Sequence, residues 1–310
     1  MKEGIERTQM FYAEPVYRPP SEAHSLLIQA TVGCSSAAAG RCYFCNSTLF
    51  HRTVHGKQFR VRPIEEILHD IHLGAEQYGR NVEKIFLLDS NALIMKTHDL
   101  LRVLTACYAA FPGLRQVSCY GCCEDILRKT DGELQALCDA GLTLVFVGLE
   151  SGDQEVLDLV NKGVRVQDQI DAVVKANVNG LQTSVTVILG LGGRRLSKQH
   201  AMNTGMAVSA MNPSYLAALT LMLVPGTVLY DMECRGEFEQ LKGQDEFLEE
   251  LEIMLKNTYA PGPVVFRTNH ASNYLPLKGI LPGNQKSMLE MIGYYRGNPH
   301  LLRSESTRGL

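Results

Sequence analysis

Residues 33–46 read Gly33-Cys-Ser-Ser-Ala-Ala-Ala-Gly-Arg-Cys-Tyr-Phe-Cys-Asn46 and directly follow an apolar run, residues 25–32, that is typical of a β-strand. Cys42 and Cys45 form a C-x-x-C pair, a spacing that lets two thiolates reach one metal ion or cluster from a single turn. Cys34 lies upstream, and the small residues that follow it allow the chain to fold back so that it joins the pair. Three soft ligands in one loop therefore predict a metal site.

Composition sets broad limits on what this chain is. It has 310 residues, 45% of them apolar and 20% charged, which is enough for one large core or two smaller domains. Its formal net charge of −3 disfavours a nucleic acid as partner. Residues 1–9 lack the apolar core of a signal peptide and no stretch is long and apolar enough to span a bilayer, so we expect a cytoplasmic protein with no membrane partner. Nine cysteines in a reducing compartment are expected to be thiols or ligands.

Strand-like apolar runs alternate with amphipathic helix-like runs from residue 25 onward. The predicted strands are residues 26–32, 84–88, 116–120, 142–147, 183–189 and 215–223. The predicted helices are residues 63–78, 98–111, 131–140, 153–160 with 168–177, and 197–211. Six strands that are each followed by a helix predict an α/β fold with a parallel sheet, either doubly wound or a full or partial barrel.

The remaining segments predict the domain organisation. Residues 1–24 are polar and contain three prolines, so we expect an extended N-terminal extension. Beyond residue 230 the alternation stops, with a helix expected at 247–257, an extended segment at 258–269 and a last helix at 289–296. We therefore expect an α/β core at 25–230 and a C-terminal cap or extension at 231–310.

Polar residues and glycines follow each predicted strand, where the sites of parallel α/β proteins collect. In chain order they are Cys34 with its loop; Asp89, Ser90 and Asn91; Cys119, Tyr120, Cys122 and Cys123; Glu150 and Ser151; Gly190, Gly192 and Gly193; and Pro225, Gly226 and Thr227. We expect these six groups to surround one mouth.

Taken together, these features resemble the radical S-adenosylmethionine (SAM) superfamily, in the branch of oxygen-independent coproporphyrinogen oxidase and the methylthiotransferases. The cysteine loop, with Phe44 before its last cysteine, is similar to the loop that holds a 4Fe-4S cluster in that family. Residues 87–92, 146–152, 187–193 and 224–227 resemble four further motifs of the family, in the same order. The resemblance implies a partial (β/α)6 TIM-like barrel, in which SAM binds the open fourth iron.

One departure from the family pattern lies in the loop itself. Seven residues separate Cys34 from Cys42, giving a CX7CX2C motif, whereas three is usual and four is common in this branch. The extra residues either bulge outward without moving the ligands or reshape the surroundings of the cluster.

The resemblance also implies roles for individual residues. Cys34, Cys42 and Cys45 would be cluster ligands, and Phe44 would pack beside the adenine. Asp89 and Asn91 would lie near the methionine amino group, and Glu150 near the ribose. The other cofactor-binding candidates are Gly190, Gly192, Arg194 and Pro225. Each of these candidates also has a simpler interpretation. Arg194 and Arg195 could pair with a carboxylate of substrate or SAM, while at least one of them lies on a solvated surface turn. Glu150 could offset a helix dipole, and Asp89 and Asn91 could be turn or helix-cap residues.

Four residues are candidates for catalysis. Cys122 and Cys123 follow the third strand, where a thiol could serve as hydrogen donor, attachment point or metal ligand; two ordinary buried thiols are the alternative. His270 and Tyr274 lie in a polar stretch of the cap, where they would contact substrate or merely satisfy the hydrogen bonds of their own loop.

The resemblance thus implies a radical SAM enzyme that cleaves SAM reductively to a 5′-deoxyadenosyl radical and abstracts hydrogen from a substrate, which we expect to be a small metabolite. Its cofactors would be a 4Fe-4S cluster and SAM, and its electron donor a flavodoxin or ferredoxin of low potential. Two alternatives remain open at this stage. One is a zinc-binding structural or interaction protein with a Cys3His site completed by His51 or His55. The other is a radical SAM fold that acts as a non-catalytic carrier.

Overall fold

The computed structural model describes residues 7–47, 59–79 and 81–309. The chain divides into two compact units. The first contains residues 1–40, 50–146 and 175–182, and the second contains residues 41–49, 147–174 and 183–310. Within the described residues, none of the helices is long and apolar enough to cross a membrane.

The first unit is built on parallel strands with helical connections. Its strands are β1 (Leu26–Gln29), β2 (Thr31–Val32), β3 (Arg60–Val61), β4 (Lys84–Leu88) and β5 (Gln116–Tyr120), and β6 (Leu142–Glu150) begins here and ends in the second unit. Its helices are α1 (Ser35–Ala38), α2 (Ile64–Tyr78), α3 (Thr97–Ala110), α4 (Cys123–Arg128) and α5 (Asp131–Asp139). Strands β1, β4, β5 and β6 pair in that order and in parallel, while β2 and β3 form a short antiparallel ribbon.

The second unit continues the same alternation. It contains α6 (Gln154–Leu159), most of α7 (Val166–Val178) and of β7 (Gln182–Leu189), α8 (Gly193–Met211), β8 (Tyr215–Thr220), α9 (Val228–Cys234), α10 (Gly243–Lys256), β9 (Val264–Arg267), β10 (Lys278–Leu281) and α11 (Gln285–Arg296). Strands β7, β8 and β9 pair in parallel, and β10 is antiparallel to β9.

Aromatic and aliphatic side chains fill the core of each unit. In the first unit the rings of Phe86, Tyr120 and Phe146 meet edge to face, with centroids 5.1 to 5.9 Å apart. In the second unit a buried cluster joins α6 and α8 to the segments around β8 and α9; it consists of Val156, Val160, Leu191, Leu196, Leu221, Leu229 and Phe238. These cores hold the carboxyl ends of the strands in place.

The N-terminal segment is tied to the first unit by polar contacts. Asp70, fully buried on α2, forms ion pairs with Arg62 at 2.7 Å and with Arg7 at 3.1 Å. The guanidinium of Arg62 also lies over the ring of Phe11, 4.4 Å from its centroid. The backbone N–H of Ala13 donates to Gln29 Oε1 at 2.7 Å. Residues 7–13 therefore pack against α2 and β1.

Most of the predicted elements are present. The strands predicted at 84–88 and 116–120 coincide with β4 and β5, whereas the run 26–32 is divided into β1 and β2 at Ala30. The expectation that the alternation stops at residue 230 is wrong for the strands, because β9 lies in the segment expected only to be extended and pairs in parallel with β8.

Candidate functional site

Cys42 and Cys45 lie on one tight turn in the second unit. The N–H of Cys45 donates to the carbonyl of Cys42 at 3.0 Å, and Cys42 adopts a positive φ of 60°. The turn is anchored on both sides: Cys42 N–H donates to Asn161 O at 2.8 Å, and Tyr43 O accepts from Leu229 N–H at 3.0 Å. Such anchoring fixes the backbone from which both thiols project.

Phe44, the residue before Cys45, packs at the edge of the apolar core of the second unit. It and Tyr43 are partly buried against the cluster that contains Val160 and Leu229. Cys45 Sγ lies 2.8 Å from the hydroxyl of Ser47. Packing of Phe44 thus helps to hold the cysteine turn.

Cys34 lies in the first unit, immediately before α1. The residue before it, Gly33, donates its N–H to Asp89 Oδ2 at 3.1 Å, and Asp89 N–H donates to Thr31 Oγ1 at 3.1 Å. The loop after β4 and the start of the cysteine loop are therefore bonded to each other, and Asp89 is buried between them.

Asn91 is a buried polar side chain in the segment after β4. Its Nδ2 donates to Ser35 Oγ at 3.1 Å and to Asp125 Oδ2 at 2.6 Å. The side chain is fully buried, and its Oδ1 has no hydrogen-bond partner among the described residues. An unpaired buried acceptor costs free energy, so this oxygen is suited to a donor that a ligand brings.

The first unit also contains the cysteines after β5. Cys122 Sγ lies 4.0 Å from Ser36 Oγ, a weak contact that joins this loop to α1. Cys123 is almost completely buried. Burial raises the pKa of the Cys119 thiol to about 12, which keeps it protonated and unreactive at neutral pH. Of these cysteines, Cys122 is the one that stays partly exposed.

Glu150 ends β6 in the second unit with its carboxylate folded back along the strand. Lys162 Nζ donates to Glu150 Oε1 at 3.0 Å, and Glu150 has a positive φ of 63°. A Cβ on Gly148 would lie 2.0 Å from that oxygen, so a larger residue there would displace the Glu150 carboxylate from this position.

The glycines after β7 are held by the C-terminal part of the chain. Gly190 N–H donates to Glu250 Oε1 at 2.5 Å, and a Cβ on Gly190 would lie 2.5 Å from the ring of Phe247. Gly192 is buried against His200 and Val156. Arg194 is exposed and pairs with Glu239 at 2.9 Å and with Glu246 at 2.6 Å.

Glu250 and His200 were not singled out from the sequence, yet they form a fully buried network in the second unit. Ser197 Oγ donates to Glu250 Oε2 at 2.5 Å, and His200 lies 3.5 Å from Glu250 Oε1. His200 also contacts Ser151 Oγ at 2.8 Å and the carbonyl of Ile188 at 3.1 Å. Burial raises the pKa of Glu250, against the opposing effects of His200 and the two hydrogen bonds.

The remaining sequence candidates lie elsewhere in the second unit. Pro225 is exposed, two residues before Thr227, whose side chain caps α9 by accepting from Tyr230 N–H. His270 Nδ1 lies 2.8 Å from Ser272 Oγ, and burial lowers the pKa of His270. These contacts fit loop and cap roles.

Tyr274 is covered by the end of the chain. Its hydroxyl hydrogen-bonds Glu305, and the guanidinium of Arg308 lies 4.1 Å from its ring centroid. Burial and Glu305 raise the pKa of Tyr274 to about 12. The segment around Arg308 therefore shields this candidate from solvent.

The donor chemistry fits a thiolate-held cluster, because all three proposed ligands are cysteines. Among residues 7–47, 59–79 and 81–309, no group of three or more histidine, cysteine or carboxylate side chains is placed to hold a metal ion. His51 and His55, needed for a zinc site, lie outside the described residues. The orphaned oxygen of Asn91 fits the amino group of SAM.

A model of the radical SAM superfamily matches residues 28–203. A tRNA uridine(34) acetyltransferase of Methanocaldococcus infernus is 26% identical over 168 residues, which cover 53% of this chain and 30% of that protein. This chain therefore matches less than a third of that relative's length.

Solved structures share the fold. Coproporphyrinogen III oxidase (HemN) of Escherichia coli has a TM-score of 0.53 at 17% identity, over 75% of this chain and 52% of that one. The radical SAM methyltransferase TsrM of Kitasatospora setae, with tryptophan and aza-SAM bound, has a TM-score of 0.54 at 18% identity, over 74% of this chain and 44% of that one. Its structure with cobalamin and a 4Fe-4S cluster bound has a TM-score of 0.52 at 19% identity, over 66% of this chain and 38% of that one. The predicted α/β fold with a partial barrel is confirmed.

Proposed function

The chain belongs to the radical SAM superfamily, and from this premise we propose that it cleaves SAM reductively to a 5′-deoxyadenosyl radical that abstracts hydrogen from a small-molecule substrate. The observation that carries the proposal is the family match over residues 28–203, which include all three cysteines of the loop and three of the four further motifs, up to Gly193. The chain is thus a radical SAM enzyme whose reaction subclass is open.

Each part of the motif has a role in this proposal. Cys34, Cys42 and Cys45 would hold the 4Fe-4S cluster, which when bound and reduced supplies the electron for SAM cleavage. The turn that Asn161 and Leu229 anchor would keep Cys42 and Cys45 in position. A flavodoxin or ferredoxin of low potential would deliver the electron.

The residues after the strands would orient SAM. Asp89 and Asn91 supply acceptor oxygens for its amino group, and the unpaired Oδ1 of Asn91 supports this role. Glu150 would accept from the ribose hydroxyls, steered by Lys162 at 3.0 Å. Gly190 and Gly192 would let the backbone approach the adenosyl group. Holding SAM and substrate in register is the protein's main contribution to such chemistry.

Anaerobic reconstitution tests the proposal. We expect about four iron and four sulfide per chain, a visible absorption band that dithionite bleaches, and 5′-deoxyadenosine formed from SAM. Cys45→Ala should lose most of the iron and all SAM cleavage. Cys234→Ala, which changes an exposed cysteine on α9, is the matched control and should keep both.

Two outcomes would contradict this function. Tightly held zinc without iron or SAM cleavage would identify a zinc-binding structural protein. Cluster and SAM binding without any 5′-deoxyadenosine would identify a carrier.

A second candidate substrate comes from the name of a relative. The acetyltransferase that matches 53% of this chain acts, by its name, on uridine 34 of tRNA. Adding unmodified tRNA to the reconstituted protein separates the two substrates: a stimulated yield of 5′-deoxyadenosine would favour the RNA, whereas an unchanged yield would favour a small metabolite. The net charge of −3 favours the metabolite.

A further inference from the structure

Two cationic side chains lie opposite each other on β9 and β10 in the second unit. Arg267, the last residue of β9, and Lys278, the first residue of β10, are Cα partners in the antiparallel ladder, and both are exposed. Within residues 7–47, 59–79 and 81–309, neither side chain forms an ion pair or a hydrogen bond. Directly opposite side chains have their Cβ atoms about 5 Å apart, so these two like charges repel each other and favour an anion between them.

The register of β9 and β10 places both cations on the face of these strands that is turned away from α11. Phe266, the neighbour of Arg267, is fully buried and pairs with Gly279, where a Cβ would lie 3.0 Å from Met288 Sδ on α11. Successive side chains of a strand point to opposite faces. Arg267 and Lys278 therefore project from the face that α11 leaves uncovered.

The same face continues across β8 to β7. Arg267 is in register with Ala217 of β8, and Ala217 is in register with Thr186 of β7. Ile188, two residues further along β7, lies on this face and packs against the apolar cluster that also supports Phe44 of the cysteine turn. Because neighbouring strands are about 4.8 Å apart, Arg267 lies about 10 Å from β7. The two cations thus share a face with the part of β7 that adjoins the support of the cysteine turn.

Apolar side chains border the two charges on this face. Tyr215 and Val265, which are register partners in β8 and β9, are partly buried, and Ile280, which pairs with Val265, is exposed. Sites for small molecules combine a mostly apolar lining with a few charged or polar groups. This face therefore suits a ligand with an apolar part next to an anionic group.

Protection of a sheet edge is the simpler explanation for a charged side chain on β10. Lysine on an edge strand discourages pairing with another chain, and β10 pairs with β9 alone among the described strands. This explanation accounts for Lys278. It does not account for Arg267, because β9 is paired on both sides, with β8 and with β10.

We propose that Arg267 and Lys278 bind an anionic group of the substrate, a carboxylate or a phosphate. The guanidinium group offers forked donors that match two oxygens of such a group, and the ammonium group adds a second positive charge. Because the whole chain has a net charge of −3, attraction of an anion depends on such a local pair of cations. The inference rests on the proposed function, since it names the class of small molecule on which the radical would act.

Equilibrium dialysis of the reconstituted protein at low ionic strength tests the inference with three probes: phenyl phosphate, phenylacetate and the neutral phenylacetamide. We expect the wild type to bind at least one anionic probe about tenfold more tightly than phenylacetamide. Arg267→Gln and Lys278→Gln should each reduce this preference to about threefold, and the double variant should remove it. Arg267→Lys, which keeps the charge, should retain more of the preference than Arg267→Gln. The anion that binds more tightly identifies the group as a phosphate or a carboxylate.

Matched controls change exposed cations elsewhere in the second unit. Arg235→Gln, directly after α9, and Lys286→Gln, on α11, should keep the wild-type preference. An equally large loss in these two variants would show that the preference reflects overall charge, and this would overturn the inference.

A second measurement connects the site with the reaction. Small molecules of a cell extract are divided by anion exchange into an anionic and a non-anionic fraction, and each fraction is added to the reconstituted protein with SAM. The anionic fraction should raise the yield of 5′-deoxyadenosine in the wild type, and less so in the double variant. Stimulation by the non-anionic fraction alone would overturn the inference.

Failure of the inference and failure of the proposed function give different results. A wild type that forms 5′-deoxyadenosine but binds all three probes equally would overturn the inference alone, and so would a preference that survives in the double variant. A wild type that assembles no cluster and forms no 5′-deoxyadenosine would overturn the proposed function, and with it the role of the two cations in binding substrate.

Discussion

Buried polar side chains follow β4 in the first unit and β6 and β7 in the second, but the two groups differ in how completely they are hydrogen-bonded. After β4, Asn91 keeps an acceptor oxygen without a donor. After β6 and β7, Ser151, His200 and Glu250 all have partners with contacts of 2.5 to 3.5 Å. The unpaired oxygen of Asn91 is therefore suited to a donor that a ligand brings, whereas the contacts of Ser151, His200 and Glu250 fit a structural role.

The difference follows from the elements that supply the partners. In the second unit, α8 and α10 pack together and bring His200, Ser197 and Glu250 to the end of β7. In the first unit the partners of Asn91 come from two short segments, α1 and α4, which cover only its nitrogen. The long helices α8 and α10 thus supply partners for every member of the network after β7. The short helices α1 and α4 supply none for Asn91 Oδ1.

The largest expected effect concerns the buried network of Ser197, His200 and Glu250 after β7, which we call the complete network because its members all have partners. Glu250→Ala should lower the free energy of unfolding by about 3 kcal/mol, because it removes the acceptor of the buried Gly190 N–H and of the partly buried Ser197 hydroxyl. Urea denaturation followed by circular dichroism at neutral pH measures this loss. Glu249→Ala, at the neighbouring and partly exposed position, should change stability by less than about 0.5 kcal/mol. Equal effects of the two variants would refute the structural role.

The second prediction concerns Asn91, whose Oδ1 has no hydrogen-bond donor among the described residues. SAM at about 100 times its Kd should stabilise the reconstituted wild type against unfolding by about 2.7 kcal/mol. Asn91→Ala should weaken SAM binding about tenfold, which reduces this gain to about 1.4 kcal/mol at the same concentration. Urea titrations with and without SAM measure both gains. Asn298→Ala, at a partly exposed asparagine, should retain the full gain, whereas a full gain in Asn91→Ala would show that Asn91 does not bind SAM.

Regular elements of this fold are readable from the sequence, because long apolar runs determine them. Strands β4 and β5 were predicted to the residue, and the helix predicted at 63–78 is α2 within one residue. Helix α1 was missed, since Ser-Ser-Ala-Ala is too short to show a helical period. Strand β9 was expected only as extended chain, since four residues cannot reveal which strand they pair with.

The spacing of Cys34, Cys42 and Cys45 in one loop predicts them as site residues, and the position of Asp89 and Asn91 after a predicted strand does the same for them. Glu250 could not be predicted in the same way. It lies in a segment rich in glutamate, where the sequence predicts a solvated helix face, and its burial depends on packing between distant helices. Asp125 and Ser35 likewise gain meaning only from their distances to Asn91.

The third prediction separates charge from hydrogen bonding in the complete network. Burial raises the pKa of Glu250, so the native state holds its proton more tightly than the unfolded chain does. Its contribution to stability is therefore present below about pH 4.5 and is lost as pH rises through the native pKa. Glu250→Gln keeps an acceptor for Gly190 and removes the charge. We expect this variant to be more stable than wild type at pH 7 by about 1 kcal/mol, and the difference to shrink toward pH 4.5 in urea titrations across that range. A difference in stability between Glu250→Gln and wild type that does not change with pH would contradict the raised pKa of Glu250.

The smallest expected effect concerns His270, whose ring is bonded within its own loop through Ser272. Burial lowers its pKa, so the unfolded chain takes up a proton near pH 6.5 before the native protein does. The resulting stability is present above pH 6.5 and is lost as pH falls below it. Because the ring is partly exposed, the loss between pH 7 and 5 should be less than about 1 kcal/mol. His270→Asn should flatten this part of the pH profile, and His300→Asn, at an exposed histidine, should leave it unchanged. If His270→Asn abolishes SAM cleavage while the pH profile of stability stays the same, the His270 ring contacts substrate. A complete set of hydrogen bonds would then not be enough to identify a structural residue in the second unit.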